Sequence, residues 1–311
     1  MISHFKTGFN GCSVKFSPFL ENRLAVATAQ NFGIIGNGRL HILDQTPQGH
    51  IAQVAAYDTL DGLYDVAFSE CNENIIAAAC GDGSVKIYDM ALPPAAQPVR
   101  AFKEHRQECS SISWNSNRRD QFLTSSWDDT VKLWSLDHNA SLRTFPGHTY
   151  CVYQAAWNPQ QPDVFMSASG DMTVRIWDTK QPAPSLVIPA HGAEILTADW
   201  CKYNDCLIAT GSVDKSIKIW DVRMPQKELK TLVGHTYVVR KVAFSPHREP
   251  LLLSCSYDMT VKLWDVHSGQ CMPINSWGRH TEFALGIDFS VLREGRVAST
   301  GWDENVFVWD L

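Results

Sequence analysis

"SASGDMTVRIWD", Ser167–Asp178, places two serines and two aspartates in one short stretch, with His148 nineteen residues before Ser167. Such a set suits either a hydrolase's nucleophile and charge pair or one unit of a repeating structure, and recurrence separates the two readings. It recurs. "GSVKIYD" (83–89), "DTVKLWS" (129–135), "KSIKIWD" (215–221), "MTVKLWD" (259–265) and "ENVFVWD" (304–310) repeat its second half, and "GRLHILD" (38–44) is a weaker seventh copy. The aromatic position falls at Leu43, Tyr88, Trp134, Trp177, Trp220, Trp264 and Trp309, spaced by 43 to 46 residues. Each copy alternates side chains at period two, as a strand within stacked sheets does, and follows another apolar run that ends in a turn.

A second marker keeps the same phase. "EHRQECSSISW" from Glu104, "GHTYCVYQAAW" from Gly147, "AHGAEILTADW" from Ala190, "GHTYVVRKVAF" from Gly234 and "RHTEFALGIDF" from Arg279 each set a histidine nine residues before an aromatic. Together the markers resemble the WD-repeat family, whose unit is a four-stranded propeller blade, and the resemblance covers essentially the whole chain. It implies an all-β, seven-bladed propeller. The last copy reaches Leu311 just after its third strand, while residues 2–7 sit where an outer strand without a blade would. The N-terminal strand is therefore expected to complete the seventh blade and close the ring, as one domain over residues 1–311.

The resemblance also accounts for the serine and histidine. In that family a Ser or Thr on the second strand, an Asp in the next hairpin, the histidine and the Trp form an internal hydrogen-bond network. By position the sets are His105, Thr124, Asp128, Trp134; His148, Ser167, Asp171, Trp177; His191, Thr210, Asp214, Trp220; His235, Ser254, Asp258, Trp264; and His280, Ser299, Asp303, Trp309. A catalytic trio need occur once, whereas this one occurs five times, so it is read as structure and no enzyme is expected. Blades one and two depart: Thr7 and Thr59 replace the histidine, Leu43 and Tyr88 the Trp, and Ala78 the hydroxyl. Packing more than this network should hold them.

Composition narrows the remaining classes. The chain has 311 residues, 44% hydrophobic and 19% charged, which is globular, and no run approaches the ~18 apolar residues of a membrane span. "MISHFKTGFN" lacks the apolar core of a secretory signal and the Arg-rich character of a transit peptide, so a soluble cytosolic protein is expected. Nine cysteines without a CxxC pair support neither a disulfide framework nor a zinc site; reduced, mostly buried thiols are expected, with no metal and no cofactor. The sequon Asn139-Ala140-Ser141 is then a chance match. A net charge of −6, with Arg118-Arg119 the one arginine doublet, disfavours nucleic acid and favours a cationic peptide. "GIIGNG" (Gly33–Gly38) lacks the Lys-Ser/Thr of a phosphate loop and reads as a hairpin connection; "MALPPAAQP" (Met90–Pro98) reads as a connection to an outer strand.

In WD-repeat proteins the rim that collects the histidine loops and aspartate hairpins binds partners, and three positions per blade point outward there. Three residues after the histidine lie Asn10, Gly62, Glu108, Cys151, Glu194, Val238 and Phe283; five after lie Cys12, Tyr64, Ser110, Tyr153, Leu196, Arg240 and Leu285. Before the aspartate lie Gly81, Trp127, Gly170, Val213, Tyr257 and Trp302, with Asp61, Asp65 and Glu282 adjacent. Carboxylates beside large apolar groups mark a binding surface.

Blade one carries a narrower resemblance. "GCSVKFSPFLENRLAVATAQNFGIIGNGRLHILD" (Gly11–Asp44), "YDVAFSE" (64–70) and "SWDDTVKLW" (126–134) are similar to the family of import receptors for the N-terminal, type 2 peroxisomal targeting signal. The resemblance implies a cytosolic receptor cycling to the peroxisome. It would bind cargo proteins bearing an Arg-Leu-x5-His-Leu signal, with a co-receptor (a long form of the type 1 signal receptor or a fungal-type equivalent) and the docking complex as partners. Residues seven apart lie two turns apart on nearly one helical face, so an amphipathic helix carrying Arg and His needs acids beside apolar ground. Glu108, Glu194 and Asp61 are expected to take the basic groups, and Tyr64, Tyr153, Leu196, Val213 and Trp127 the leucines. Asp65, Val238, Arg240, Tyr257, Glu282, Phe283, Leu285 and Trp302 are further peptide or co-receptor contacts. A general WD scaffold, such as a ubiquitin-ligase adaptor or chromatin-complex subunit, is the alternative.

Overall fold

The period-two runs become strands in every copy. The computed structural model describes residues 2–31 and 36–311, and in it they form seven four-stranded antiparallel sheets. The inner strands are Asn10–Phe16, Leu63–Phe68, Cys109–Trp114, Val152–Trp157, Ile195–Trp200, Val239–Phe244 and Ala284–Phe289. Each sheet hides both faces against its neighbours, which is why β-branched and aromatic side chains fill its strands on either side. Between blades four and five, for example, Met166, Ala168, Val174 and Ile176 pack with Ile195, Ala198, Trp200, Ile208 and Trp220.

The ring closes as the sequence suggests. Strand Ile2–Lys6 is the fourth strand of the seventh sheet, antiparallel to Asn305–Asp310, with Ile2 opposite Trp309 and Lys6 opposite Asn305. The seam is filled like the others: Val14, Phe16, Leu24, Val26 and Leu43 of blade one meet Ala298, Val306 and Val308 of blade seven. Asp288 stitches it, accepting from the Phe16 N–H at 2.9 Å and pairing with Lys15 Nζ at 2.8 Å. Equivalent stitches join other blades, where Asp65 accepts from the Ile112 N–H and Asp199 from the Phe244 N–H. Buried main-chain donors on the inner strands thereby gain acceptors from the next blade.

The proline cluster contains a short 3-10 turn, Pro94–Ala96, ahead of the outer strand Arg100–Lys103 of blade two, as read. The glycine-rich connection lies partly outside the described residues. Among the described residues no helix is long and apolar enough to cross a membrane. All nine cysteines are free; Cys12, Cys80, Cys109, Cys201 and Cys255 are buried, and Cys71 and Cys271 are exposed.

Candidate peptide-binding face

The face is framed by the repeated network. In blades three to six each histidine Nδ1 meets its aspartate at 2.8–2.9 Å and Nε2 meets the hydroxyl at 2.6–2.7 Å. The indole N–H donates to the same hydroxyl at 2.8–3.2 Å. A carboxylate can only accept, so Nδ1 carries the proton, Nε2 accepts from the hydroxyl, and the hydroxyl oxygen accepts from the indole. Burial lowers the basicity of His148 and His235 despite their aspartates, which keeps those rings neutral. Burial alone would raise Asp128, Asp171, Asp214 and Asp258, but hydrogen bonds from the histidines and hairpin hydroxyls or N–H groups hold them well below the carboxylate range. Thr124, Ser167, Thr210 and Ser254 are fully buried, so no substrate reaches these hydroxyls.

One expectation about the network needs correction. In blade seven His280 meets Asp303 and Ser299, but Trp309 stands outside, its Nε1 buried without a partner among the described residues. Blades three to six carry Lys132, Arg175, Lys218 and Lys262 two residues before the Trp; here Phe307 fills that place and lies edge-on to His280, 5.0 Å between centroids. Trp309 tilts instead onto Trp277 at 5.5 Å. Blade two is not held by packing alone. Lys86 Nζ donates to Ser84 Oγ at 2.8 Å and to Cys80 Sγ at 2.9 Å and pairs with Asp82 at 3.3 Å, supplying a cation where the histidine is missing. Tyr57 and Tyr88 stack beside it, 5.2 Å apart, as expected of a packed blade.

Within this frame lies a cavity of about 550 Å³ at the histidine-loop end of the ring. Its lining is Cys12, Tyr64, Glu108, Ser110, Trp127, Tyr153, Glu194, Leu196, Val213, Val238, Arg240, Tyr257, Leu285 and Trp302, every one among the positions read from the sequence. The floor has a local cause. All seven inner strands slip register by one residue near their start, and the unpaired residues are Cys12, Tyr64, Ser110, Tyr153, Leu196, Arg240 and Leu285. A bulge re-aims its extra side chain, and seven bulges arranged in a ring aim theirs into one basin. Several of these do not point outward as expected: Cys12, Ser110, Leu196 and Leu285 are buried at the bottom.

Charge divides the basin. Glu108 and Glu194 lie in blades three and five; Tyr153 donates its hydroxyl to Glu194 at 2.8 Å, while Glu108 has no ion pair among the described residues. Tyr64 stacks on Trp127 at 6.0 Å and Trp127 meets Tyr153 edge-on, giving an aromatic wall beside the acids. Across from it, Tyr257, Phe283 and Trp302 stack together, 4.5 Å separating Tyr257 from Phe283.

Four expected contacts fall outside the lining. Asp65 is buried and occupied, accepting from Ser13 Oγ at 2.6 Å and from the Ile112 N–H, so it belongs to the inner seam and not to the rim. Asp61 turns back on its own loop, accepting from the Gly62 N–H at 2.7 Å, and lies against Gly81 behind Tyr64. Glu282 is exposed beyond the edge, and Phe283 serves as backing for Tyr257 and Trp302. Tyr150 and Tyr237, each about half exposed, were missed; Tyr237 extends the second aromatic wall by stacking on Phe283. The repeated His-Thr-Tyr triplet at 148–150 and 235–237 was the available signal.

Known proteins resemble this chain at two levels. The family model "WD domain, G-beta repeat" matches residues 46–89 and 96–135, and "EIPR1 beta-propeller" matches residues 146–264. The chain is 65% identical over 306 residues to "Peroxisome biogenesis protein 7" of Arabidopsis thaliana, covering 98% of this chain and 96% of that protein. It is 54% identical over 295 residues to the "Peroxisomal targeting signal 2 receptor" of Dictyostelium discoideum, covering 95% and 93%. The Homo sapiens protein of the same name is 50% identical over 281 residues, covering 90% and 86%.

Proposed function

The chain belongs to the family of peroxisomal targeting signal 2 receptors, and from that premise we propose that its basin binds the signal as an amphipathic helix. The observation that carries this reading is an acid-and-aromatic basin of about 550 Å³: Glu108 and Glu194 share it with Tyr64, Trp127 and Tyr153 and with the apolar floor residue Leu196. In an Arg-Leu-x5-His-Leu helix the Arg and His share one flank and the leucines lie about a quarter turn away. The glutamates receive the basic flank, and Tyr64, Trp127, Tyr153, Leu196 and Val213 take the leucines. The signal orders as it docks, in the helix-in-groove mode.

As one domain without an active site, the receptor collects cargo in the cytosol and delivers it to the peroxisomal docking complex with a co-receptor. Tyr257 and Trp302, with Phe283 behind them and Glu282 at the edge, form the part of the rim left for that second polypeptide. The test is a Glu108→Lys, Glu194→Lys double variant titrated with a fluorescent type 2 signal peptide. Binding is expected to fall more than about a hundredfold, the scale of two lost charge-assisted contacts replaced by repulsion, with the melting temperature nearly unchanged. Undiminished affinity would discard the acid contacts. A general scaffold would retain neither the peptide nor its Arg→Ala version.

A further inference from the structure

Of the seven bulge residues that floor the basin, six are uncharged and the seventh is Arg240. It comes from blade six, the neighbour of blade five, and shares the lining with Val238, Tyr257 and Leu285. No carboxylate neutralises it among the described residues: Asp65 is committed to Ser13, to the Ile112 N–H and, at 4.0 Å, to Lys241, and Glu194 is held by Tyr153. Its charge reaches the buried thiols of Cys12 and Cys255, which burial raises and Arg240 draws back down.

A lone cation in a basin for basic helices is the wrong sign for affinity, and specificity often rests on such a repulsive element. Without it, the acids and aromatic walls would accept any cationic amphipathic helix. We propose that Arg240 is a charge filter, excluding helices that turn a lysine or arginine toward blades six and seven and thereby fixing the rotation and direction of the bound signal. The inference rests on the receptor reading and extends it to which cationic helices are refused.

Helical geometry says where the filter acts. At 100° per residue, with Arg at 0°, the paired His returns to about −20° and the two leucines fall near 100° and 80°. With leucines down and cations toward the glutamates, the opposite flank lies near 140–200°, where the second and fifth residues after the Arg project. The third residue after it, near 300°, faces solvent.

The test uses full-length receptor and synthetic signal peptides with alanine at all five variable positions, or with one further arginine at the second, third or fifth position after the Arg. Anisotropy titrations at fixed salt are expected to show the second- and fifth-position arginines weakening binding about tenfold or more, and the third-position arginine changing it little. Arg240→Gln should close that gap, Arg240→Glu should invert it, and Arg240→Lys should preserve it, which separates charge from a packing defect. An equal gap in the unaltered receptor and in Arg240→Gln overturns the filter while leaving the receptor reading intact. Failure of the all-alanine peptide to bind the unaltered receptor overturns both.

Discussion

The same strands carry two kinds of position a few residues apart, and they behave oppositely from blade to blade. The loop-to-hairpin network is spelled with nearly one alphabet in blades three to seven, whereas the seven bulges hold Cys, Tyr, Ser, Tyr, Leu, Arg and Leu. Network positions face closely similar local surroundings in blades three to six, so one solution to the buried-polar problem serves repeatedly there. Bulge positions face a shared basin, where a ligand without sevenfold symmetry asks something different of each. Repetition within this chain marks architecture, and variation at equivalent positions marks function.

Acid should expose the network most strongly, because every copy titrates together. Asp128, Asp171, Asp214 and Asp258 titrate below their ordinary value of 3.8, and Asp303 at about 2. A depressed folded pKa means stability present above the unfolded value and lost as pH falls through the folded one. His148 and His235, lowered from 6.5, add a loss of the same sign that begins where the unfolded histidines protonate. Denaturant titrations should show stability declining below pH about 6.5 and falling steeply below about 4. A flat profile down to pH 3 would break the comparison.

Removing one network member should come next. Asp171→Ala strips partners from His148, Thr173 and the Thr149 N–H, and is expected to cost about 3 kcal/mol. Peptide affinity measured well below the melting temperature should stay within about twofold, a change of under 0.5 kcal/mol. Loss of binding without loss of stability would erase the boundary between frame and basin.

A finer contrast lies inside the network. Trp177→Phe loses a hydrogen bond to Ser167, but Trp309→Phe removes an indole N–H that has no partner among the described residues. The first substitution should therefore cost about 1 kcal/mol more than the second in parallel urea titrations. Equal costs would mean that the indole bond adds nothing. The smallest effect concerns the hairpins, where Asp129, Met172, Lys215, Met259 and Glu304 adopt the left-handed conformation that Gly83 supplies in blade two. Met172→Gly should stabilise by under about 1 kcal/mol, relief of the Cβ clash being partly offset by unfolded-chain entropy.

Much of the site was legible because a seven-fold repeat lets each position be checked against its counterparts. Glu108, Glu194, Tyr64, Trp127 and Tyr153 follow from the offsets that the WD-repeat resemblance assigns to the rim, counted from the histidines and aspartates. The failures sit where offset says nothing about partners. Asp61 and Asp65 look like rim acids by adjacency, yet one folds onto its own loop and the other serves the next blade's main chain. The sequence offered no reading of Lys86, which pairs with Asp82 where blade two lacks the histidine.

The order of residues was enough to set the number of blades through its periodicity, while the resemblance to WD repeats implied the strand that seals the ring and the repeated network, Trp309 excepted. Folding in three dimensions decided which side chains meet over the axis, that the floor is made of bulges, and that Arg240 shares one basin with Glu108 and Glu194. A bulge exists only relative to its paired strand, and a basin only relative to seven sheets, so neither is a property of any single stretch of chain.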